Sequence, residues 1–135
     1  MSVIKYGLLL VATISFTSFA LANTAVEELQ QEYRQQGANE FSAAAGKAFW
    51  HRTFQSDGAD AQRSCTTCHT ADVRQTGKHV KTGREIKPLA PSVMSKRLTN
   101  SKKIRKWLKR NCMWTVGREC TAQEKGDVLQ YLKDL

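Results

Sequence analysis

The sequence predicts an all-α domain of four or five short helices joined by loops, and three observations carry that prediction. Two Thr-x-x-Glu boxes, Thr24 to Glu27 and Thr121 to Glu124, each head a segment whose apolar residues recur at helical spacing. No alternating apolar and polar run of strand length occurs, and no internal repeat is present. A Cys-Thr-Thr-Cys-His run at residues 65–69 follows a loop rich in Gly, Asp and Ser, where a short chain gains from a covalent or cofactor cross-link.

In chain order, residues 1–22 hold one early cation, Lys5, an apolar run from Tyr6 to Phe19, and Ala20-Leu21-Ala22, the small-x-small pattern of a signal-peptidase site. They are read as a signal peptide, with residues 23–135 as one exported, periplasmic domain. The run is too short to favour a stable membrane anchor. A first helix follows the box at Thr24, with Val26, Leu29 and Tyr33 on one side and Gly37 as its stop. A second is expected after Asn39, with Phe41, Ala45, Ala48 and Phe49 along one face and Gly46 and Trp50 four apart. Residues 55–68 read as a loop, and Thr70 to Ser92 as extended chain wrapping the edge of a bound group. A third helix spans Thr99 to Asn111, with Ile104, Trp107 and Leu108 inward and Lys102, Lys103, Arg105, Lys106 and Lys109 outward. The last opens at Thr121 and carries Val128, Leu129, Leu132 and Leu135 as its apolar stripe.

The whole chain has a formal charge of +9, and loss of Lys5 with the leader makes it +8. Such a balance steers a protein toward acidic partners. It does not point to nucleic acid, because the cations lie on scattered helical faces and loops without aromatic interleaving. Export also bears on the four cysteines, since disulfides persist outside the cytosol.

Cys-x-x-Cys-His has a specific physical use: two thiols at fixed separation meet the two vinyl groups of a haem while the adjacent histidine swings under the iron. A thiol-disulfide enzyme would need a surrounding βαβ pattern, and a zinc site a second ligand pair at suitable spacing. Neither accompanies residues 65–69. One covalently attached haem c is therefore expected on Cys65 and Cys68, with His69 as proximal ligand. Cys112 and Cys120 are then left as the disulfide pair. Pro88 and Leu89, in the rigid Pro88-Leu89-Ala90-Pro91 stretch, are expected against the haem. The Pro88 carbonyl is a candidate acceptor for the ring N–H of His69, and the prolines equally serve to shape a loop.

For the distal side the residues leave alternatives open. A thioether would suit an ordinary electron carrier, and Met94 and Met113 are available, as are His51 and His79. Asn111 competes, because it follows Leu108 by three, Trp107 by four and Ile104 by seven, which puts it on the apolar face. Asparagine is equally at home where a helix ends.

A resemblance bears on this choice. Arg110-Asn111-Cys112, Gly117-Arg118-Glu119-Cys120 running on through Thr121 to Leu129, Lys78-His79-Val80, and Gly83 to Ser92 resemble the sphaeroides haem protein type of cytochrome c over most of residues 23–135. The resemblance implies a class I cytochrome c-like fold around one haem and His69 as proximal ligand. It also implies Asn111 as a distal ligand directly before a disulfide between Cys112 and Cys120. It further implies loss of the asparagine ligand on reduction, so that oxygen, nitric oxide or carbon monoxide can bind. An amide oxygen is a hard donor, tolerable to ferric iron and poor for the softer ferrous ion. Implied partners are a dihaem cytochrome c electron donor, with a membrane cytochrome b alongside, and the chain is expected to be monomeric. The alternative function is a simple periplasmic electron carrier whose haem keeps six ligands. No distal acid or base is legible, so the sequence makes no statement about catalytic turnover.

Overall fold

The computed structural model describes residues 24–55 and 62–135. The expected leader over 1–22 and its cleavage point before Asn23 lie outside the described residues. Helix α1, Thr24–Gln35, buries Ala25, Val26, Leu29, Gln30 and Tyr33. Its end is a Schellman turn, in which Gly37 adopts φ 94° and the N–H of Ala38 reaches the Tyr33 carbonyl at 3.0 Å.

Helix α2 spans Ala43–His51 and starts later than the sequence suggests, because Ser42 caps it by accepting from the Ala45 N–H. The buried line is Gly46 and Trp50, whereas Ala45 and Ala48 face outward. The expected Phe41–Ala45–Ala48 face is thus corrected. The Ser42 N–H donates to Asp127 Oδ1 at 2.8 Å, which orients the helix for a close crossing at Gly46. A Cβ at Gly46 would collide with the Asp127 carbonyl and the Tyr131 Cβ.

Two antiparallel ladders follow where no strand was expected. Strands β1 (Phe54–Gln55) and β2 (Gln62–Arg63) pair, with Phe54 opposite Arg63. After the single helical turn α3, Thr66–His69, strands β3 (Gly77–Lys78) and β4 (Glu85–Ile86) pair, with Gly77 opposite Ile86. Two residues per strand cannot display a period of two, which is why these pairs leave no trace in the sequence.

Helix α4, Ser101–Thr115, is capped by Asn100, whose side chain accepts from the Lys103 N–H, and runs four residues beyond Asn111. Its inner line is Ile104, Leu108 and Thr115, with Cys112 also buried, while Trp107 is 51% exposed rather than inward. Helix α5, Ala122–Lys133, opens on a complete capping box between Thr121 and Glu124. No helix among the described residues is long and apolar enough to cross a membrane.

Helix α5 divides the core. On one side Val26, Leu29, Tyr33, Ile104 and Leu129 join α1 and α4. On the other, Trp50, Val73, Ala90, Val128, Tyr131 and Leu132 join α2 to the loops. Leu98 and Leu108 touch both clusters. The buried Gln30 links α1 to α5, donating to the Gly126 carbonyl at 3.3 Å and to Gln130 Oε1 at 3.1 Å.

Candidate haem site

The residues of the attachment motif are placed by backbone geometry before any side chain acts. The N–H of His69 bonds to the Cys65 carbonyl at 3.1 Å, closing one helical turn. Both thiols and the imidazole thereby leave the same short segment. The turn is stopped at Thr70, whose φ of 65° and ψ of 171° are strained for a residue with a Cβ. Such a conformation costs about 1–3 kcal/mol and persists only where its surroundings enforce it. The Thr70 hydroxyl donates to the Asp72 carbonyl at 2.7 Å. Strand β3 then passes so close that a Cβ at Gly77 would strike the Cys68 carbonyl.

His69 lies in an apolar setting, its ring 5.5 Å from that of Trp50. Burial pushes its pKa down to about 4, with the Arg97 guanidinium adding to the effect. The imidazole is therefore neutral at pH 7, the form that ligates a metal. Burial likewise pushes the Cys65 thiol up to about 12. Cys65 and Cys68 are not bonded to one another.

Cys65, Cys68 and His69 form one wall of an open cleft. Facing them are Leu108, Asn111, Thr115 and Trp114, with the Cys112–Cys120 disulfide behind. The disulfide joins the end of α4 to the residue before α5, with Cα atoms 5.6 Å apart. In the chain-entropy account, closing so short a loop stabilises by roughly 2–3 kcal/mol.

The donor set fits a haem c. Two unpaired thiols in a CxxCH turn, a neutral imidazole and an opposing amide share one mostly apolar cleft. The buried side-chain donor without a protein partner among the described residues, Trp50 Nε1, belongs to a residue of the same wall.

Of the distal candidates, Asn111, itself exposed, is the one that lines this cleft. Met94 is half-buried elsewhere, Met113 is 51% exposed, and His51 is exposed at the end of α2. His79 is exposed, and its Nδ1 accepts from the Thr82 N–H at 3.3 Å, closing the β3–β4 turn. Because α4 continues through residue 115, Asn111 is an interior helical residue rather than a cap.

Pro88 and Leu89 are half-buried, with Leu89 packed on the Trp50 cluster. The Pro88 carbonyl accepts from Arg97 Nε at 2.7 Å, and the Lys87 carbonyl accepts from the same guanidinium at 2.7 Å. Arg97 went unnoticed in the sequence because no spacing rule connects residue 97 to residue 88. Trp114 is held in the wall by Arg63, whose guanidinium stacks 4.5 Å over the ring and donates to the Trp114 carbonyl at 2.9 Å. Nothing in the sequence marks that pair either.

Comparison with known proteins shows the family and the fold. A family model described as a domain of unknown function (DUF1924) matches residues 36–132. The cytochrome c-type protein SHP of Cereibacter sphaeroides is 48% identical over 90 residues, covering 67% of this chain and 68% of that protein. Cytochrome c'' of Methylophilus methylotrophus is 33% identical over 126 residues, covering 88% and 87% respectively. Oxidised SHP, described as an oxygen binding cytochrome c, superimposes with a TM-score of 0.75 at 40% identity, over 84% of this chain and 99% of that one. Oxidised cytochrome c'' gives a TM-score of 0.70 at 31% identity, over 82% of this chain and 94% of the other. Its solution structure, described as giving insight into haem-ligand detachment, gives 0.69 at 33%, over 81% and 92%. The chain belongs to the SHP family of c-type cytochromes, with a mostly helical, class I-like fold and one covalently attached haem c.

Proposed function

We propose that this cytochrome uses His69 and Asn111 as axial ligands and gives up Asn111 on reduction, opening a distal site to a small diatomic such as oxygen or nitric oxide. The observation that carries the reading is that Asn111 shares the cleft with Cys65, Cys68 and His69, whereas Met94, Met113, His51 and His79 do not. A haem c bound here would supply an iron able to cycle between ferric and ferrous states, and Cys65 and Cys68 would hold it covalently. His69 enters already neutral, so no proton has to leave before it ligates. Asn111, which lines the cleft from α4, would offer an amide oxygen, a hard donor that favours the ferric state. The wall residues Leu108 and Trp114 keep that side largely apolar.

The relative described as oxygen binding, and the one whose structure addresses haem-ligand detachment, support the same reading. Export through residues 1–22 would place the protein in the periplasm, with electrons arriving from a dihaem cytochrome c and a membrane cytochrome b alongside. Optical spectra of the ferric and the reduced protein, with and without carbon monoxide, in wild type and Asn111→Ala test it. The expected result is a low-spin ferric form, a high-spin reduced form that binds carbon monoxide, and a variant already high-spin when ferric. A reduced form that stays low-spin and ignores carbon monoxide, with the variant unchanged, would make the protein a simple electron carrier with a permanently six-coordinate haem.

A further inference from the structure

Helix α4 carries three parallel rows of residues, set by the three- and four-residue spacing of a helix. The inner row, Ile104, Leu108, Asn111 and Thr115, meets the core and the cleft. The outer row is Lys102, Lys106, Lys109 and Met113, all exposed. Between them lie Lys103, Trp107 and Arg110, also exposed. Helix α4 has six cations and no acid, and among the described residues only Arg105 of the six forms an ion pair, with Glu28 and Glu32.

Trp107 is the odd member of this surface. It is 51% exposed, the same as Met113. Its ring lies between two cations, with the Arg110 guanidinium 5.2 Å and the Lys106 ammonium 6.0 Å from its centroid. Cation–π contacts of this kind hold an aromatic ring in place without burying it. Tryptophan, methionine and arginine are the residue types that interfaces concentrate, with tryptophan and arginine the usual energetic anchors. The position matters as much as the type. Asn111 follows Trp107 by four residues, so their Cβ atoms are about 6 Å apart, and Trp107 stands at the rim of the wall that Asn111 lines.

We infer that the outer face of α4 is the docking surface for an acidic electron-donating protein, with Trp107 as its anchor and Lys102, Lys106 and Lys109 as its steering charges. This rests on the preceding reading that electrons reach the cleft from a protein donor. Unpaired cations raise the encounter rate of an acidic partner over a range set by the ionic atmosphere, about 8–10 Å at ordinary salt. The ring then supplies the contact that salt does not screen. A donor seated there would deliver its electron across the helix whose inner row carries Asn111, with Trp107 lying between the two rows.

The experiment compares two charge reversals of equal size. One is Lys102→Glu, Lys106→Glu and Lys109→Glu on α4. The other is Lys78→Glu, Lys81→Glu and Arg84→Glu on the exposed β3–β4 hairpin. Trp107→Ala is the third variant. Each ferric holoprotein is reduced in stopped flow by flavodoxin hydroquinone, an acidic protein donor, from low to high ionic strength. Carbon monoxide binding to the reduced forms reports separately on the cleft. The expected result is a second-order rate about tenfold lower for the α4 reversal than for the hairpin reversal at low ionic strength, converging at high. Trp107→Ala should slow reduction severalfold at every ionic strength, with carbon monoxide binding unchanged in all three. Equal losses from both reversals, or a larger loss from the hairpin, would overturn the assignment. So would binding of phosphatidylglycerol vesicles that the α4 reversal abolishes while leaving the rate intact. A wild type that binds carbon monoxide when reduced, yet reacts with flavodoxin no faster than an uncharged surface would, removes the docking face and leaves the ligand-exchange reading standing.

Discussion

Two glycines separate backbone obstruction from side-chain obstruction. At Gly46 an added Cβ meets the Asp127 carbonyl and the Tyr131 Cβ, so α2 and α5 must move apart to admit it. At Gly126 its three nearest atoms all belong to the ring of the half-buried Phe41, a side chain with more freedom to yield than backbone. Gly46→Ala should therefore cost roughly 2–3 kcal/mol, the upper part of the range for overpacking a fitted contact. Gly126→Ala should cost about 1 kcal/mol or less, because alanine returns nearly that much in helix propensity. Denaturant unfolding of the two holoproteins checks this, and equal losses would mean that Phe41 is as immovable as backbone. The spacing of Gly46 and Trp50 is visible in the sequence, but only the crossing explains why a side chain is forbidden. Trp107 shows the opposite limit. Hydropathy assigns it to the core beside Ile104 and Leu108, yet it lies one row away from them, where Lys106 and Arg110 hold it in solvent. Asn111 was legible as a polar residue in line with Leu108. Its standing as an interior helical residue was not, since Asn followed by Cys also reads as a helix end.

Helix α5 was legible because capping box and apolar stripe agree, and helix α1 because its apolar stripe runs to the glycine that ends it. At α5 the box is electrostatic as well as structural. Glu124 accepts from both terminal nitrogens of Arg118, at 2.7 and 2.8 Å, and from the Thr121 N–H at 2.8 Å. The Arg118 bonds first, and the Thr121 bond after them, hold its carboxyl below the ordinary value of 4.5. A carboxylate with a lowered folded pKa adds stability above its unfolded pKa and loses it as the pH falls through the folded value. Glu124→Gln, which keeps a capping-box side chain but loses the charge facing Arg118, should thus be less stable than wild type near neutral pH by about 0.5–1 kcal/mol, the worth of a part-exposed ion pair. The gap should close as the pH drops below 4.5. Melting temperatures of both proteins across that range check it; a gap independent of pH would mean that the side chain's shape, and not its charge, holds the turn. The start of α2 was misread because Asn39 and Ser42 are both good caps. Only the Asp127 carboxylate, distant in sequence, selects Ser42. The end of α4 was hidden because its continuation depends on the disulfide and on Thr115 reaching the core.

At the scale of the whole molecule, the two core clusters differ in what builds them. The α1–α4–α5 cluster is made of helices with their own backbone bonds, α4 and α5 with side-chain caps as well. The second cluster draws Val73, Leu89 and Ala90 from chain with little regular structure, tied by single bonds such as Leu89 N–H to the Val73 carbonyl at 2.8 Å. That chain closes against the attachment turn, so its order depends on what Cys65, Cys68 and His69 hold. A Cys65→Ala/Cys68→Ala chain, which cannot carry a covalent haem, should keep most of its helical signal yet lose amide protection across residues 62–98. Helices α1, α4 and α5 should stay the slowest to exchange, since local opening follows the density of buried apolar contact. Hydrogen exchange of the holoprotein and this variant, resolved by segment, is the measurement. Protection lost uniformly, α1 included, would show instead that the helical cluster cannot stand without the haem. Protection kept over 62–98 would show that the loops order themselves. The expected pattern makes α5 the shared wall of a permanent half and a haem-dependent half, with Leu98 and Leu108 as the side chains through which one half constrains the other.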